Sequence, residues 1–384
     1  MRGSIKERPP GSGNWRIQWY VGRDLDGKPK YKNKTFHDKR LAEKELTRIL
    51  RELDQGTYIE SKKMTVAEFL RKWLTDYASG RAGSTYERYV GIVEQHLIPA
   101  LGHIELSKLQ PNVVQKYYND ELKSGRVKRV LKNGEVKGGG LSARSVQQHH
   151  AVLRKALKCA VRWGMVGRNI CDMVDAPKVE RKEAEAFTEA EVRALLGATD
   201  GTPHGPIILI AVATGMRLGE ILALTWGDID TVNSAISVTK SVEQIKTGLR
   251  IKETKTGSSY SVTVPTKVID RLMAYKEQQE AHVEELPELV ASNNLICPDA
   301  YGGYRKPDSM SSTFRGITKK AKVRPLGFHS LRHAHATIVL NRGWDLKFVQ
   351  QRLGHSTIAI TGDIYSHVVS STQGKIAESL SDLF

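Results

Sequence analysis

Cysteine is scarce in this chain, with three in 384 residues: Cys159, Cys171 and Cys297. Their spacing gives neither a disulfide framework nor a CxxC zinc pattern, so they read as reduced packing residues. Long apolar runs are also missing. None approaches the roughly 20 residues that a bilayer-spanning helix needs, and the charged start Met1 to Pro10 has no apolar h-region. A cytoplasmic protein without a membrane partner is expected. Acidic residues are in deficit, 42 Asp and Glu against 59 Lys and Arg, for a formal charge of +17 and a pI near 9.6. That excess favours an extended polyanion as partner, nucleic acid ahead of an acidic membrane surface. A hydrophobic fraction of 40% over this length allows two or three domains, each with its own core.

Residues 1–63 hold 16 Lys or Arg against 9 Asp or Glu. Here Trp15 to Val21 reads as a strand, Asp24 to Lys28 as an Asp-Gly turn and Lys30 to Phe36 as a second strand. A helix from Lys39 to Leu53 places Ala42, Leu46, Ile49, Leu50 and Leu53 at helical spacing to cover the back of the sheet. Lys30, Lys32 and Lys34 then form a row on the outward face, joined by Arg16 and Lys28 as DNA-binding candidates. A charged face that serves only solubility is the alternative. Trp15, Trp19 and Tyr31 lie among these cations and favour nucleic acid, although some of the rings must be core.

Thr65-Val-Ala-Glu68 is a capping box that opens a helix, and Ser84-Thr-Tyr-Glu87 reads as a second. With helices near Pro111 to Leu122 and Ser145 to Trp163, residues 64–178 form an all-α bundle. Between the last two helices, Arg126 to Lys137 is basic and carries Asn133-Gly134, a hairpin signal. A basic β-hairpin or mobile loop with Lys128 and Arg129 as DNA contacts is expected; a disordered insertion is the alternative. The charged stretch from Asp175 to Glu185 reads as a linker, and Thr188 to Glu191 caps the first helix of a third domain, residues 179–384. The fold class is multidomain α+β: a small sheet plus helix, a helical bundle, and a mainly α C-terminal domain with a small antiparallel sheet.

That third domain holds the chemistry. A buried helix from Ile207 to Ala213 breaks at Thr214-Gly215, and Arg217 opens the next helix with Glu220 three positions on. Alone, such a pair reads as structural ahead of functional. Alternation over Ala235 to Thr239, Leu249 to Thr254 and Tyr260 to Val264 predicts a three-stranded antiparallel sheet, with Lys255 in the turn before its last strand. A turn lysine is usually surface, but a hairpin tip can reach a groove. His329 and Arg332 stand at i and i+3 on one helical face. His333 and His335 complete a cluster without the HExxH form or an acidic neighbour, so no metal is expected and these two pack or hydrogen-bond nearby. His355 and Tyr365 follow across Gly362-Asp363. Arginines that clamp phosphate oxygens, groups that move protons and a phenol that attacks phosphorus suit metal-free phosphodiester chemistry.

The order of blocks resembles the tyrosine recombinase family, in particular lambda-integrase-like enzymes of phages and conjugative elements. The blocks are Ala213-Thr-Gly-Met-Arg217-Leu-Gly-Glu220, Lys255-Thr-Gly, His329-Ser-Leu-Arg332-His-Ala-His-Ala-Thr and Leu353-Gly-His355-Ser through Tyr365. Lys252 competes with Lys255 for the lysine role. The resemblance makes residues 1–63 an arm-site-binding domain and residues 64–178 a core-site-binding domain. It implies that Tyr365 attacks a scissile phosphate to form a 3′-phosphotyrosyl link, with Arg217, Lys255, His329, Arg332 and His355 as the other catalytic residues, Glu220 supporting them and no cofactor. Implied partners are double-stranded DNA core and arm sites, a homotetramer on DNA, an excision factor and a DNA-bending host protein, all in a bacterial cytoplasm. Helical spacing of Ile376, Ala377, Leu380 and Leu383 predicts a terminal helix that caps its own domain or docks on a neighbour. A type IB topoisomerase-like enzyme and a non-catalytic DNA-binding regulator remain as rival readings.

Overall fold

The computed structural model describes residues 3–23, 26–54, 63–81, 83–127, 129–130, 136–180, 185–253, 260–285 and 294–354. The chain divides into two compact units, residues 1–180 and 181–384.

The first unit opens with β1 (Gly3–Glu7), β2 (Trp15–Arg23) and β3 (Pro29–Phe36), an antiparallel sheet in the order β1-β2-β3. Sequence reasoning missed β1, whose few apolar residues are hidden in a charged segment. Helix α1 (Lys39–Asp54) lays Ala42, Leu46 and Ile49 over Ile17 and Trp19, closing a small core of their own. The register corrects the outward lysine row. Lys34 pairs with Ile17 and Lys32 with Trp19, and directly opposed residues share a face, so both lysines lie on the helix-covered side. Lys34 Nζ accordingly reaches Glu45 of α1 at 2.9 Å. The open face instead carries Lys6, Arg16, Gln18, Tyr20 and Tyr31, the last two in edge contact with ring centroids 5.6 Å apart.

Helix α2 (Val66–Trp73) begins with the expected capping box: the Glu68 N–H donates to Thr65 Oγ1, and the Thr65 N–H donates to Glu68 Oε2 at 2.7 Å. Helix α3 (Gly83–Ile92) already contains Ser84, so the expected cap there is an interior residue instead. After a wide turn at 93–97 come α4 (Ile98–Leu101), α5 (Pro111–Ser124), the short strands β4 (Arg129–Val130) and β5 (Val136–Lys137), and α6 (Ala143–Arg162). β4 and β5 pair antiparallel, Arg129 opposite Lys137, as the stem of the expected basic hairpin; its Asn133-Gly134 tip and Lys128 lie outside the described residues. Phe69, Trp73, Leu101, Tyr118, Leu153 and Leu157 fill the bundle core. All three cysteines are buried and unpaired, and burial pushes the Cys171 thiol up to about 12.

In the second unit, α7 (Glu189–Thr199) starts at the Thr188 and Glu191 box, and α8 (Gly205–Thr214) runs through the middle of the core. Then come α9 (Leu218–Ile221), β6 (Ile229–Asp230), β7 (Ala235–Val238), β8 (Lys240–Ile245), β9 (Gly248–Glu253) and β10 (Tyr260–Thr263). The single sheet expected from alternation is two sheets. β10 and β7 pair, with β6 on the far edge, but β9 folds back on β8, a strand that was not anticipated. Gly248, at φ 141°, permits the tight return that makes this hairpin close on itself. The hairpin packs on α9 so closely that a Cβ on Gly219 would sit 2.5 Å from the Val242 carbonyl. Helices α10 (Thr266–Glu285), α11 (Pro307–Lys320), α12 (His329–Asn341) and α13 (Leu346–Leu353) complete the described unit.

Candidate active site

Helix α8 ends where Gly215 takes the left-handed conformation, φ 70°, and the chain turns so that Arg217 directly precedes α9. Glu220, buried, accepts from the Arg217 backbone N–H at 2.8 Å, from Arg217 Nη1 at 2.8 Å and from the Tyr260 hydroxyl of β10 at 2.9 Å. A buried carboxylate is tolerable because it is paired and fully engaged in this way. The Arg217 side chain stays 46% exposed, so it is fixed on one side and accessible on the other.

Arg332 is 3% exposed. Its Nη1 donates to the Gly215 carbonyl at 2.8 Å, across 117 positions of sequence, and its Nη2 donates to the Leu353 carbonyl at 2.6 Å. These bonds tie α12 to the turn before Arg217 and to the end of α13, two residues before His355. His329, at the start of α12, is held below the ordinary histidine value by burial and then by Arg332 and Arg217, so both guanidinium groups act on one imidazole. Tyr260 registers the same surroundings. Burial and then Glu220 raise its phenol, against the pull of Arg332 and Arg217. An open cleft of about 480 Å³ borders the group, lined by Met216, Leu218, Arg315, Phe328, His329 and Arg332. His329 and Arg332 line this cleft, and imidazole and guanidinium donors are the kinds of group that suit a phosphodiester anion.

His333 and His335 act as supports. The His333 ring meets His329 edge to face at 4.8 Å, and burial pushes it down to about 4. His335 Nδ1 lies 2.8 Å from the Val212 carbonyl and its Nε2 accepts from Arg352 Nε at 3.0 Å. Arg352, unremarked in the sequence, also donates to the carbonyls of Thr263 and Ala213, fastening α13 to β10 and α8. Tyr260 and Arg315 were likewise missed. Lys252 Nζ pairs with Glu243 at 2.9 Å within its own hairpin, which engages its charge locally. Lys255, His355 and Tyr365 lie outside the described residues.

Residues 185–371 match the phage integrase family, and residues 65–122 match the phage integrase N-terminal SAM-like domain. The ICEBs1 integrase of Bacillus subtilis is 30% identical over 247 residues, 64% of this chain and 67% of that protein. The chain belongs to the phage integrase family. Another similar protein, the tyrosine recombinase XerC-like protein of Caldanaerobacter subterraneus subsp. tengcongensis, is 26% identical over 398 residues, 96% of both chains. The fold is also that of a lambda integrase tetramer solved on a Holliday junction, with a TM-score of 0.58 at 18% identity over 94% of this chain and 96% of that one. As a phage integrase family member, the chain is a tyrosine-type site-specific DNA recombinase with a multidomain, mixed α and β fold. The larger family match spans Arg217, Lys255, His329, Arg332, His355 and Tyr365. Among the described residues, no helix is long and apolar enough to cross a membrane.

Proposed function

We propose that Tyr365 is the nucleophile that cleaves and rejoins DNA, and that the chain thereby integrates and excises a mobile element. The convergence of Arg217, Arg332 and His329 beside an open cleft is the observation that carries this reading. The tyrosine oxygen attacks phosphorus, the 5′-oxygen leaves, and a 3′-phosphotyrosyl ester replaces the phosphodiester. Attack by the 5′-hydroxyl of the partner strand then breaks the phosphotyrosyl ester, frees the tyrosine and completes the exchange, so no water or nucleotide is consumed.

Arg217 and Arg332 stabilise the charge that builds on the non-bridging oxygens in the pentavalent transition state; one such donor is worth roughly 10² to 10³ in rate. Lys255 protonates the leaving 5′-oxygen, His329 accepts the tyrosine proton or donates to the phosphate, and His355 bonds a non-bridging oxygen. Glu220 acts through Arg217, as its two bonds to that residue support.

In the three-domain division, residues 1–63 grip arm sites, residues 64–178 grip core sites and residues 179–384 do the chemistry. Separate cores in the sheet module and in the bundle support the first boundary. The working form is a homotetramer on double-stranded DNA in the bacterial cytoplasm, aided by an excision factor and a DNA-bending host protein. The test is a nicked suicide substrate carrying the element's end. Wild type should accumulate a covalent adduct that maps to Tyr365, and sequencing the attached DNA should return one site. A full adduct yield from Tyr365→Phe overturns the assignment.

A further inference from the structure

The helical bundle gathers three potential metal ligands that no local sequence pattern announces. His96 lies in the wide turn before α4, Glu121 near the end of α5 and His149 within α6. His96 Nδ1 is 2.9 Å from Glu121 Oε2, and His149 Nδ1 is 3.6 Å from the same oxygen. Ligand atoms around a tetrahedral zinc with bonds of about 2.0–2.1 Å stand about 3.3 Å apart, between these two distances. The imidazole centroids are 4.6 Å apart, and all three donor atoms lie within 4.8 Å of one another. Glu121 Oε2 is buried, and its near polar neighbours are the two histidine nitrogens, which leaves a carboxylate aimed between two imidazoles. The Tyr117 hydroxyl, 2.8 Å from His149 Nδ1, is placed to supply a further oxygen.

Glu121 also stands at the foot of the basic hairpin. Its carbonyl accepts from the Gly125 N–H where the hairpin leaves α5 and from the Leu141 N–H where the hairpin returns, and the Arg126 N–H bonds the Gly139 carbonyl between them. We propose that His96, Glu121 and His149 bind a zinc ion that fixes the base of the 126–140 hairpin. Two imidazole nitrogens and one carboxylate oxygen are a zinc donor set with room for a fourth ligand, whereas magnesium and calcium favour mostly oxygen ligands in greater number. The ion joins the turn at 93–97, α5 and α6 at one point, so the two described ends of the hairpin spring from a fixed base.

The full-length chain, stripped with a chelator and titrated with Zn²⁺ alone, provides the test. One ion per chain should bind with a dissociation constant of about a micromolar or below, and the melting temperature should rise on the order of 5 °C. Co²⁺ should give the visible absorption of a tetrahedral site. Glu121→Gln and His96→Gln should each lose the ion at least tenfold while keeping the wild-type circular dichroism spectrum, and His103→Gln, at an exposed position on the same unit, should keep it. Hydrogen exchange of wild type should slow at residues 126–140 when Zn²⁺ is added. Failure of wild type to retain or bind zinc, equal binding by Glu121→Gln, or unchanged exchange over 126–140 overturns the proposal. Adduct formation at Tyr365 is scored separately, so loss of the metal site and loss of the recombination assignment remain distinguishable.

Discussion

Tyr260 donates its hydroxyl to Glu220 Oε2 at 2.9 Å, and the same carboxylate oxygen accepts the Arg217 backbone N–H. Strand β10 thus helps aim a guanidinium on another element. Tyr260→Phe removes one of three bonds to Glu220 and leaves the others. Single-turnover cleavage should fall about fivefold, the equivalent of one hydrogen bond near 1 kcal/mol. DNA affinity, read by electrophoretic mobility shift, should not change. A wild-type cleavage rate would show that Arg217 needs no help from β10.

The two arginines should separate in a stability assay. Arg217→Lys keeps a cation for Glu220 but loses the planar fork, so activity should drop roughly 10² or more with little change in urea midpoint. Arg332→Lys should cost activity and stability together. It leaves the buried carbonyls of Gly215 and Leu353 short of donors, at about 1–3 kcal/mol for each orphaned group. Equal urea midpoints for the two variants would contradict the buried bracing role of Arg332.

Much of this architecture is local and so could be read from the chain. The Thr65 and Thr188 caps each involve a glutamate three residues away, and Gly215 marks a helix end with its own backbone. What escaped reading depends on partners far off in sequence. Alternation over Leu249 to Thr254 predicts a strand, which the structure describes over Gly248–Glu253, but it does not name Lys240–Ile245 as its mate. The row of Lys32 and Lys34 was visible, yet only their registration against Trp19 and Ile17 decides which face they occupy. Arg352 looks like any helix arginine until the Ala213 carbonyl, 139 positions earlier, is placed beside it.

His335 sets an acid limit on the catalytic unit. Its Nε2 accepts from Arg352 and Arg332 lies near, so protonation puts a cation against two others in a buried space. Burial and these charges lower its pKa from 6.5 to about 4, opposed by the Val212 carbonyl. The folded state therefore binds fewer protons than the unfolded state between those values. Stability from this group is complete above pH 6.5 and is lost as the pH falls toward 4, with a slope of at most about 1.4 kcal/mol per pH unit. His333 contributes with the same sign. Urea titrations at pH 7.5, 6 and 5 should show wild type weakening faster than His335→Gln; parallel lines would mean that His335 does not titrate on unfolding.

The N-terminal module yields a graded prediction. Each lysine that neutralises a DNA phosphate adds about 0.9 to the slope of log affinity against log salt. Lys34 is engaged by Glu45 of α1 and sits on the helix side of the sheet, whereas Arg16 projects from the open face beside Gln18 and Tyr20. Replacing Arg16 with Gln should therefore lower the arm-site slope by nearly one. Lys34→Gln should lower it by much less, because its charge is already partly neutralised within the protein. The measurement is binding of a labelled arm-site duplex at four salt concentrations. If Lys34→Gln reduced the slope as much as Arg16→Gln, the pair with Glu45 would not withdraw Lys34 from DNA, and the helix side of the sheet would contact phosphate as well as the open face.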